Sequence, residues 1–175
     1  MMACMHGLRS SLCAVLSLAL SGCYADFPLD ATPQVDLDDR LLGTWRCLPA
    51  DASADEEAAT FVFSVVRDRV YGIQFQEEGK EPELYEAHVS RLKREHILNV
   101  RFLDPSAPKP WAFARYSFLL PHVLHLQYVD EDAFNGVQQT PQAFRRALEK
   151  LPRDSPFYVE YAVCARAKAE HQAQK

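Results

Sequence analysis

The sequence predicts an all-β domain with one helix, in which about eight antiparallel strands form a meander that closes into a barrel. Three observations support this fold class. Apolar and polar residues alternate with a period of two in eight successive segments, and this alternation is typical of half-buried strands. Most gaps between the segments are short enough for hairpins, and only one segment has the spacing of a helix.

The eight predicted strands cover most of the chain after residue 41. In the third strand Tyr71, Ile73 and Phe75 alternate with glycine and glutamine, and the seventh strand repeats the pattern with Leu126 and Tyr128. One apolar and one polar face on each strand favours a sheet that curls around its own core. The approximate ranges of the strands are 42–48, 58–66, 69–77, 83–92, 96–103, 111–119, 122–130 and 157–167.

The single helix is predicted before the last strand. Thr140 can cap its first turn, Pro141 suits its first position, and Pro152 ends it. Because the apolar residues between the two prolines recur at helical spacing, we expect their stripe to pack against the barrel wall or to close one end of the barrel. These stripe residues are Phe144, Ala147, Leu148 and Leu151.

The first 22 residues have the pattern of a signal peptide. Arg9 precedes an apolar run from Leu12 to Leu20 that is interrupted only by Ser17. A membrane-crossing helix needs about 20 apolar residues, whereas the core of a signal peptide needs only about 7–15. We therefore expect the segment to direct export rather than to span a membrane.

The run ends in Leu20-Ser21-Gly22-Cys23, which resembles the cleavage box of bacterial lipoproteins. The resemblance implies cleavage before Cys23 and attachment of diacylglyceryl and fatty acyl (palmitate-type) chains to that cysteine. The lipid would hold the domain outside the cytoplasm, on the cell membrane or the outer membrane. The alternative is an ordinary signal peptide cut elsewhere, with Cys23 as a free thiol or a disulfide partner.

These features divide the chain into a signal peptide (1–22), a flexible tether (23–39), a barrel domain (40–168) and a disordered tail (169–175). The tether is predicted because its residues are Asp-rich, contain proline and lack sustained periodicity. The chain has 24 acidic and 19 basic residues, so nucleic acid is not expected as a partner.

Gly43-Thr44-Trp45 opens the first predicted strand, as the Gly-x-Trp motif does in lipocalins and related calycin barrels. The eight strands and the late helix extend this resemblance to most of the chain after the tether. It implies that Trp45 packs at the closed end of the barrel beneath an arginine from near the last strand, for which Arg166 is the candidate. Lipocalins carry their helix after the eighth strand, so this chain resembles a lipocalin-like relative.

The cysteines provide a separate test of barrel closure. Cys4 and Cys13 leave with the signal peptide and Cys23 takes the lipid, so only Cys47 and Cys164 remain in the folded domain. An exported compartment permits a disulfide between them. The alternative is that both cysteines stay reduced and buried.

One strand register satisfies both predicted pairs. In an antiparallel ladder the residue numbers of opposed positions have a constant sum, and the pair Cys47 and Cys164 has the same sum as the pair Trp45 and Arg166. A single pairing of the first and last strands therefore sets the pairs opposite each other on one face. In that register Tyr161, three positions before Cys164, lies on the face of the sheet opposite to that of Trp45.

Catalytic groups, metal ligands and cofactor sites are not expected, and we predict that the protein is not an enzyme. The sequence lacks a Gly-x-Ser-x-Gly elbow, a phosphate-binding glycine loop and a His-Glu-x-x-His motif. His122 and His125 have a spacing that puts them on opposite faces of a strand, and His88 and His96 are expected at the surface. Residues 130–132 are acidic but lack the pattern of a calcium loop.

Two functions remain open from the sequence. The first is binding of a small apolar or amphipathic ligand inside the barrel, with Tyr71, Phe75, Tyr116 and Tyr128 as the lining. The second is a filled barrel that acts through its surface as an envelope interaction or inhibitor module. Since an eight-stranded barrel is only just wide enough for its own side chains, the volume of the interior distinguishes the two. Further aromatic residues predicted to point inward are Phe61, Phe63, Tyr85, Phe102 and Phe118.

Overall fold

Eight antiparallel strands form one closed barrel in the order in which they occur along the chain. The computed structural model describes residues 25–52, 58–93, 95–104, 110–130 and 140–167. The predicted fold class is therefore confirmed. The strands are β1 (Gly43–Pro49), β2 (Ala59–Arg67), β3 (Val70–Gln76), β4 (Glu83–Leu92), β5 (Glu95–Phe102), β6 (Trp111–Leu120), β7 (Val123–Val129) and β8 (Tyr158–Arg166), and the helix α1 spans Pro141–Leu148.

The seam between β1 and β8 closes the barrel in the predicted register. Trp45 lies opposite Arg166, and Cys47 lies opposite Cys164. Around the rest of the wall each strand pairs antiparallel with the next strand along the chain, so every strand has two partners and no sheet edge runs the length of the barrel.

The meander gives the barrel two different ends. Because the strands alternate in direction, β1, β3, β5 and β7 finish at the end where β2, β4, β6 and β8 begin, and we call this end the mouth. The other end carries the start of β1 and the finish of β8, and we call it the closed end. Leu41, two residues before β1, is fully buried there.

The inner faces of the strands supply the main core, as the alternation predicts. Trp45, Tyr71 and Leu124 have no exposed surface, and the cluster continues through buried residues of all eight strands. Burial of such apolar side chains contributes roughly 1.5–3 kcal/mol each relative to exposure.

A second apolar core lies outside the barrel, between its wall and the helix. Phe144 and Leu148 of α1 are buried against Ile97 and Phe113 of the wall, and Ala147 and Leu151 pack around them. Thr140 caps the helix, since its side-chain oxygen accepts a hydrogen bond from the Ala143 N–H at 3.2 Å. The predicted capping and the predicted apolar stripe are confirmed.

Residues 25–39, which we call the strap, differ from the flexible tether that the sequence predicted. Ala25 and Leu29 are buried in the outer core, and Val35 and Leu37 pack against the inner core. The prediction was wrong for these residues because widely spaced apolar side chains, without regular periodicity, are enough to bury a segment on an existing wall.

Several predictions fall on parts of the chain outside the described residues. The signal peptide (1–22), the modified Cys23 and the tail (169–175) are among them. Across the described ranges, no helix has the length and apolar composition needed to cross a membrane.

Candidate functional site

Arg166 covers Trp45 at the closed end of the barrel. Its guanidinium carbon lies 4.4 Å from the centroid of the indole, and its Nη1 donates to the Leu42 carbonyl at 2.7 Å. The indole nitrogen donates to the Leu41 carbonyl at 2.8 Å. The arrangement combines a cation–π contact with satisfied hydrogen bonds, and it covers the indole of Trp45.

Gly43 is needed for this closure. Its φ is +112°, and a Cβ at this position would lie 3.1 Å from Nη1 of Arg166. A side chain would therefore be strained and would press on the guanidinium. These two constraints explain why a glycine stands two residues before Trp45.

A disulfide joins Cys47 to Cys164 across the seam. Both cysteines are buried, and the bond links strands whose cysteines are 117 positions apart in sequence. The predicted pairing is confirmed. The disulfide links β1 to β8 two residues along each strand from Trp45 and Arg166, at the next side-chain position on the same face.

A small apolar cavity of about 90 Å³ lies inside the barrel on the mouth side. Aromatic rings dominate its wall, and Phe61 packs on Phe75 with ring centroids 4.8 Å apart. Phe61, Phe102, Tyr128 and Tyr161 are partly exposed, so the lining reaches solvent at the mouth. The remaining lining residues are Phe63, Ile73, Phe75, Tyr85, Leu98, Val100, Ala112, Phe113, Ala114 and Leu126.

The cavity contains two of the four predicted ligand-binding residues. Phe75 and Tyr128 line it. Tyr71 and Tyr116 do not line it, because β3 and β6 carry these two rings toward the closed end. The sequence pattern identified their inward face, but it could not give their depth along the barrel axis.

Tyr71 serves the closed end instead. Its hydroxyl bonds to the backbone of Asp38, donating to the carbonyl at 3.3 Å and accepting from the N–H. Burial raises the pKa of Tyr71 to about 12, so its hydroxyl stays protonated. The Tyr116 ring contacts Phe118 and His96, and burial also raises the pKa of Tyr116.

Tyr161 lines the cavity although the simple register turned it outward. The pairing of β7 with β8 shifts between Leu126, which opposes Ala162, and Gln127, which opposes Glu160. The extra residue in this bulge is Tyr161. Its ring lies 6.4 Å from that of Phe61.

A wider polar cleft of about 400 Å³ is lined by residues of both faces of the wall near the closed end, where Tyr116 and Phe118 come from the inner face. Many of its polar groups bond to one another: Arg115 donates to Gln127 at 2.8 Å, and His125 and Gln127 contact Glu160. Arg115 also lies 3.9 Å above the Tyr158 ring. These groups stabilise the outer wall, and they are already engaged with protein partners. The cleft is lined by Arg40, Glu95, His96, Arg115, Tyr116, Ser117, Phe118, His125, Gln127 and Arg153.

A buried polar network attaches the strap to the wall. The carboxylate of Asp30 accepts from Arg145 at 2.7 and 2.8 Å and from the Ser90 hydroxyl at 2.6 Å. The Leu29 N–H donates to Asn99 Oδ1 at 2.7 Å. Ser90 and Asn99 have no exposed surface, so their hydrogen bonds with the strap and with each other satisfy groups that water cannot reach.

His88 belongs to the same network, and its predicted surface position was wrong. It is 5 % exposed, and its Nε2 donates to the Asp30 carbonyl at 3.0 Å. Burial lowers the pKa of His88, outweighing the hydrogen bond to Asp30 and the charge of that residue. The sequence shows His88 on the polar face of β4, and only the strap and the helix bury that face.

Within the described ranges, no three metal-ligating side chains of His, Cys, Asp or Glu come together. The apolar cavity is the candidate functional site. No family model, no curated protein and no solved structure matches this chain.

Proposed function

We propose that this chain is a lipid-anchored lipoprotein of the bacterial cell envelope whose barrel binds the end of one linear apolar chain, of the kind that acyl lipids carry. The observation that carries the proposal is the lining of the cavity, whose residues are all apolar or aromatic and which reaches solvent at the mouth. Such a lining offers dispersion contacts and no fixed charge to a ligand.

The size of the cavity restricts the ligand to a narrow shape. Its volume is about 90 Å³, below the roughly 150 Å³ that accommodates a benzene-sized molecule in a dry protein cavity. A compact ring system would not fit. The end of a linear chain fits best, with its polar group left at the partly exposed rings of Phe102 and Tyr128.

The anchoring part of the proposal comes from the sequence. The box at Cys23 supplies the acylation site, and a disulfide between Cys47 and Cys164 is typical of an oxidising, exported compartment. More than one acyl chain is needed for stable attachment, and the lipoprotein modification would provide them.

Binding to the cavity is tested with the mature chain carrying Cys23→Ala, which removes the anchor. The protein is titrated with a fluorescent linear fatty acid, and the variant Ala114→Leu fills the cavity from β6. We expect its affinity to fall by at least about tenfold, equivalent to about 1.4 kcal/mol. The matched control is Ala165→Leu on the exposed face of β8, which should bind as the parent does.

Native mass spectrometry of the same protein, purified from its envelope compartment, gives a second readout. A bound molecule with a linear apolar chain supports the proposal. Equal affinities for the fatty acid in the two leucine variants would reject the cavity as its site. Absence of lipid on the N-terminal peptide of the chain that keeps Cys23 would reject the anchor.

The small cavity also favours a second candidate, a filled barrel that acts through its surface. Leu48 and Val163 face each other across the outside of the seam, and they are 49 % and 44 % exposed. If this pair contacts an envelope protein, Leu48→Gln with Val163→Thr should abolish the cross-link to that protein, and Ala114→Leu should leave it intact. Loss of the cross-link in Ala114→Leu, with the double variant unaffected, would favour the ligand-binding cavity.

A further inference from the structure

The strap begins at the mouth of the barrel. Ala25 and Trp111 exchange two backbone hydrogen bonds, 2.7 Å from the Ala25 N–H and 3.2 Å from the Trp111 N–H. Trp111 is the first residue of β6, directly after the β5–β6 connection. The first described residue of the chain is therefore fixed to the rim of the mouth.

The strap cannot swing away from this position without breaking buried contacts. Leu29 is 4 % exposed, and its N–H is held by Asn99. Asp30, the next residue, is held by Arg145 of the helix and by Ser90 of β4. Separation of these groups would break the hydrogen bonds of Asn99 and Ser90 to the strap and would expose the buried side chain of Leu29 to water.

Covalent geometry then limits where Cys23 can lie. An extended chain spans at most about 3.6 Å per residue, so Cys23 is within about 7 Å of Ala25. The strand β6 has 10 residues and measures about 33 Å at about 3.3 Å per residue. Cys23 can therefore reach the rim of the mouth, but it cannot reach the closed end.

We infer that the strap orients the barrel on the membrane, with its mouth turned toward the bilayer that holds the acyl chains of Cys23. The inference rests on the proposed lipid anchoring and names the partner of the mouth, which is the lipid surface itself. An acyl chain of a neighbouring lipid could then pass from the bilayer into the cavity without crossing open water. The closed end, covered by Arg166, points away from the membrane.

The chemistry of the rim sets the depth of this contact. Trp111 is partly exposed and pairs with Ala25, and tryptophan is favoured at the boundary between headgroups and acyl chains. The β3–β4 connection at the same end carries Glu77, Glu78 and Glu81 with Lys80. Because carboxylates are costly in hydrocarbon, the mouth rests among the headgroups and does not enter the acyl region.

The orientation is tested with the full lipidated chain in vesicles of phosphatidylethanolamine containing a minor fraction of phosphatidylglycerol. A fluorescent label is attached to Lys80→Cys at the mouth or to Asp68→Cys at the closed end, with the native disulfide intact. Quenching by a nitroxide on the lipid headgroup reports the distance from the membrane. We expect the label at position 80 to be quenched several-fold more than the label at position 68.

A lengthened tether provides the matched control. A flexible Gly/Ser insertion of about 12 residues between Tyr24 and Ala25 keeps the strap and the barrel, but it frees the barrel to rotate. The difference in quenching between the two labels should then largely disappear. Asp30→Asn, which weakens the attachment of the strap, should reduce the difference in the same direction.

Equal quenching at the two positions, or stronger quenching at position 68, overturns the inference. So does a quenching difference that the insertion leaves unchanged, because the orientation would then not come from the strap. Failure of the inference is separable from failure of the proposed function. Fatty acid binding by the Cys23→Ala protein and the mass of the N-terminal peptide are measured independently of orientation.

Discussion

Arg145 of the helix holds Asp30 of the strap with both carboxylate oxygens, 2.7 and 2.8 Å from its Nη2. The two residues are 115 positions apart in sequence, and neither side chain is more than 27 % exposed. Their contact joins three layers, because Asp30 also accepts a hydrogen bond from Ser90 of the barrel wall.

Replacement of this carboxylate should destabilise the protein. We expect Asp30→Ala to lower the free energy of unfolding by about 1.5–3 kcal/mol, since it removes hydrogen bonds to a partly buried arginine and to a buried hydroxyl. Urea unfolding of the two proteins measures the change. The control is Asp36→Ala, because Asp36 also pairs with an arginine but is 87 % exposed, and we expect no measurable effect. Equal losses would show that Asp30 has no special structural role.

The closed end should be sensitive to a single methyl group. Gly43→Ala forces a side chain onto a backbone with φ of +112° and against Arg166, so we expect a loss of about 2–3 kcal/mol in unfolding free energy. Gly79→Ala is the control, because Gly79 has a φ of +72° but no atom within 4 Å of the added Cβ. Its loss should be smaller. Thermal unfolding that ranks the two variants in reverse order would contradict the crowding at Arg166.

Reduction of the disulfide should have a large effect on stability. Reduction frees a loop of about 100 residues in the unfolded chain, and this should lower the free energy of unfolding by roughly 3–5 kcal/mol. Unfolding is measured with and without a phosphine reductant, and the double variant Cys47→Ala, Cys164→Ala serves as the reference. The reductant should destabilise the parent and leave the double variant unchanged. A reductant effect of the same size in both proteins would have another cause.

The stability of the protein should fall in mild acid, in part through His88. Its pKa is lowered in the folded state, so the unfolded chain binds the proton more readily. Protonation therefore stabilises the unfolded chain relative to the folded one as the pH drops through 6.5, the ordinary pKa of histidine. The loss from this group is at most about 1.4 kcal/mol per pH unit.

The contribution of His88 is isolated with His88→Gln. Urea unfolding of this variant and of the parent is compared between about pH 7.5 and about pH 5.5, the range in which histidine titrates. The variant should lose less stability than the parent over this interval. Asp30 and Arg67 are the charged groups that act on His88. Parallel pH profiles would contradict a histidine buried in its neutral form.

The barrel and its seam could be predicted because they depend on patterns that the sequence carries directly. Period-two alternation gives the strands, and the shared register of the pairs Cys47–Cys164 and Trp45–Arg166 gives the closure. The helix could be predicted from Thr140 and Pro141 for the same reason. Each of these signals is local or depends on a single pairing of two strands.

The strap and the outer polar network could not be predicted in this way. Their residues become buried only when the strap and α1 cover the same wall, so His88 and Asn99 look like exposed positions of a half-buried sheet. The bulge at Tyr161 is likewise invisible, because the register is continuous on the β1 side of β8 and shifts only on the β7 side. The volume of the cavity depends on how the rings pack, which alternation does not specify.

The seam also determines the order in which the molecule can assemble. β1 can form its second ladder only when β8, the last strand to be synthesised, is present. The other strands pair with their neighbours in sequence, and only β7 and β8 are separated by the helix segment. Until then one side of β1 is an open template for strands of other chains. Folding that ends with such a distant contact is slow. The step most exposed to aggregation is therefore the final approach of residues 158–166 to the start of the barrel.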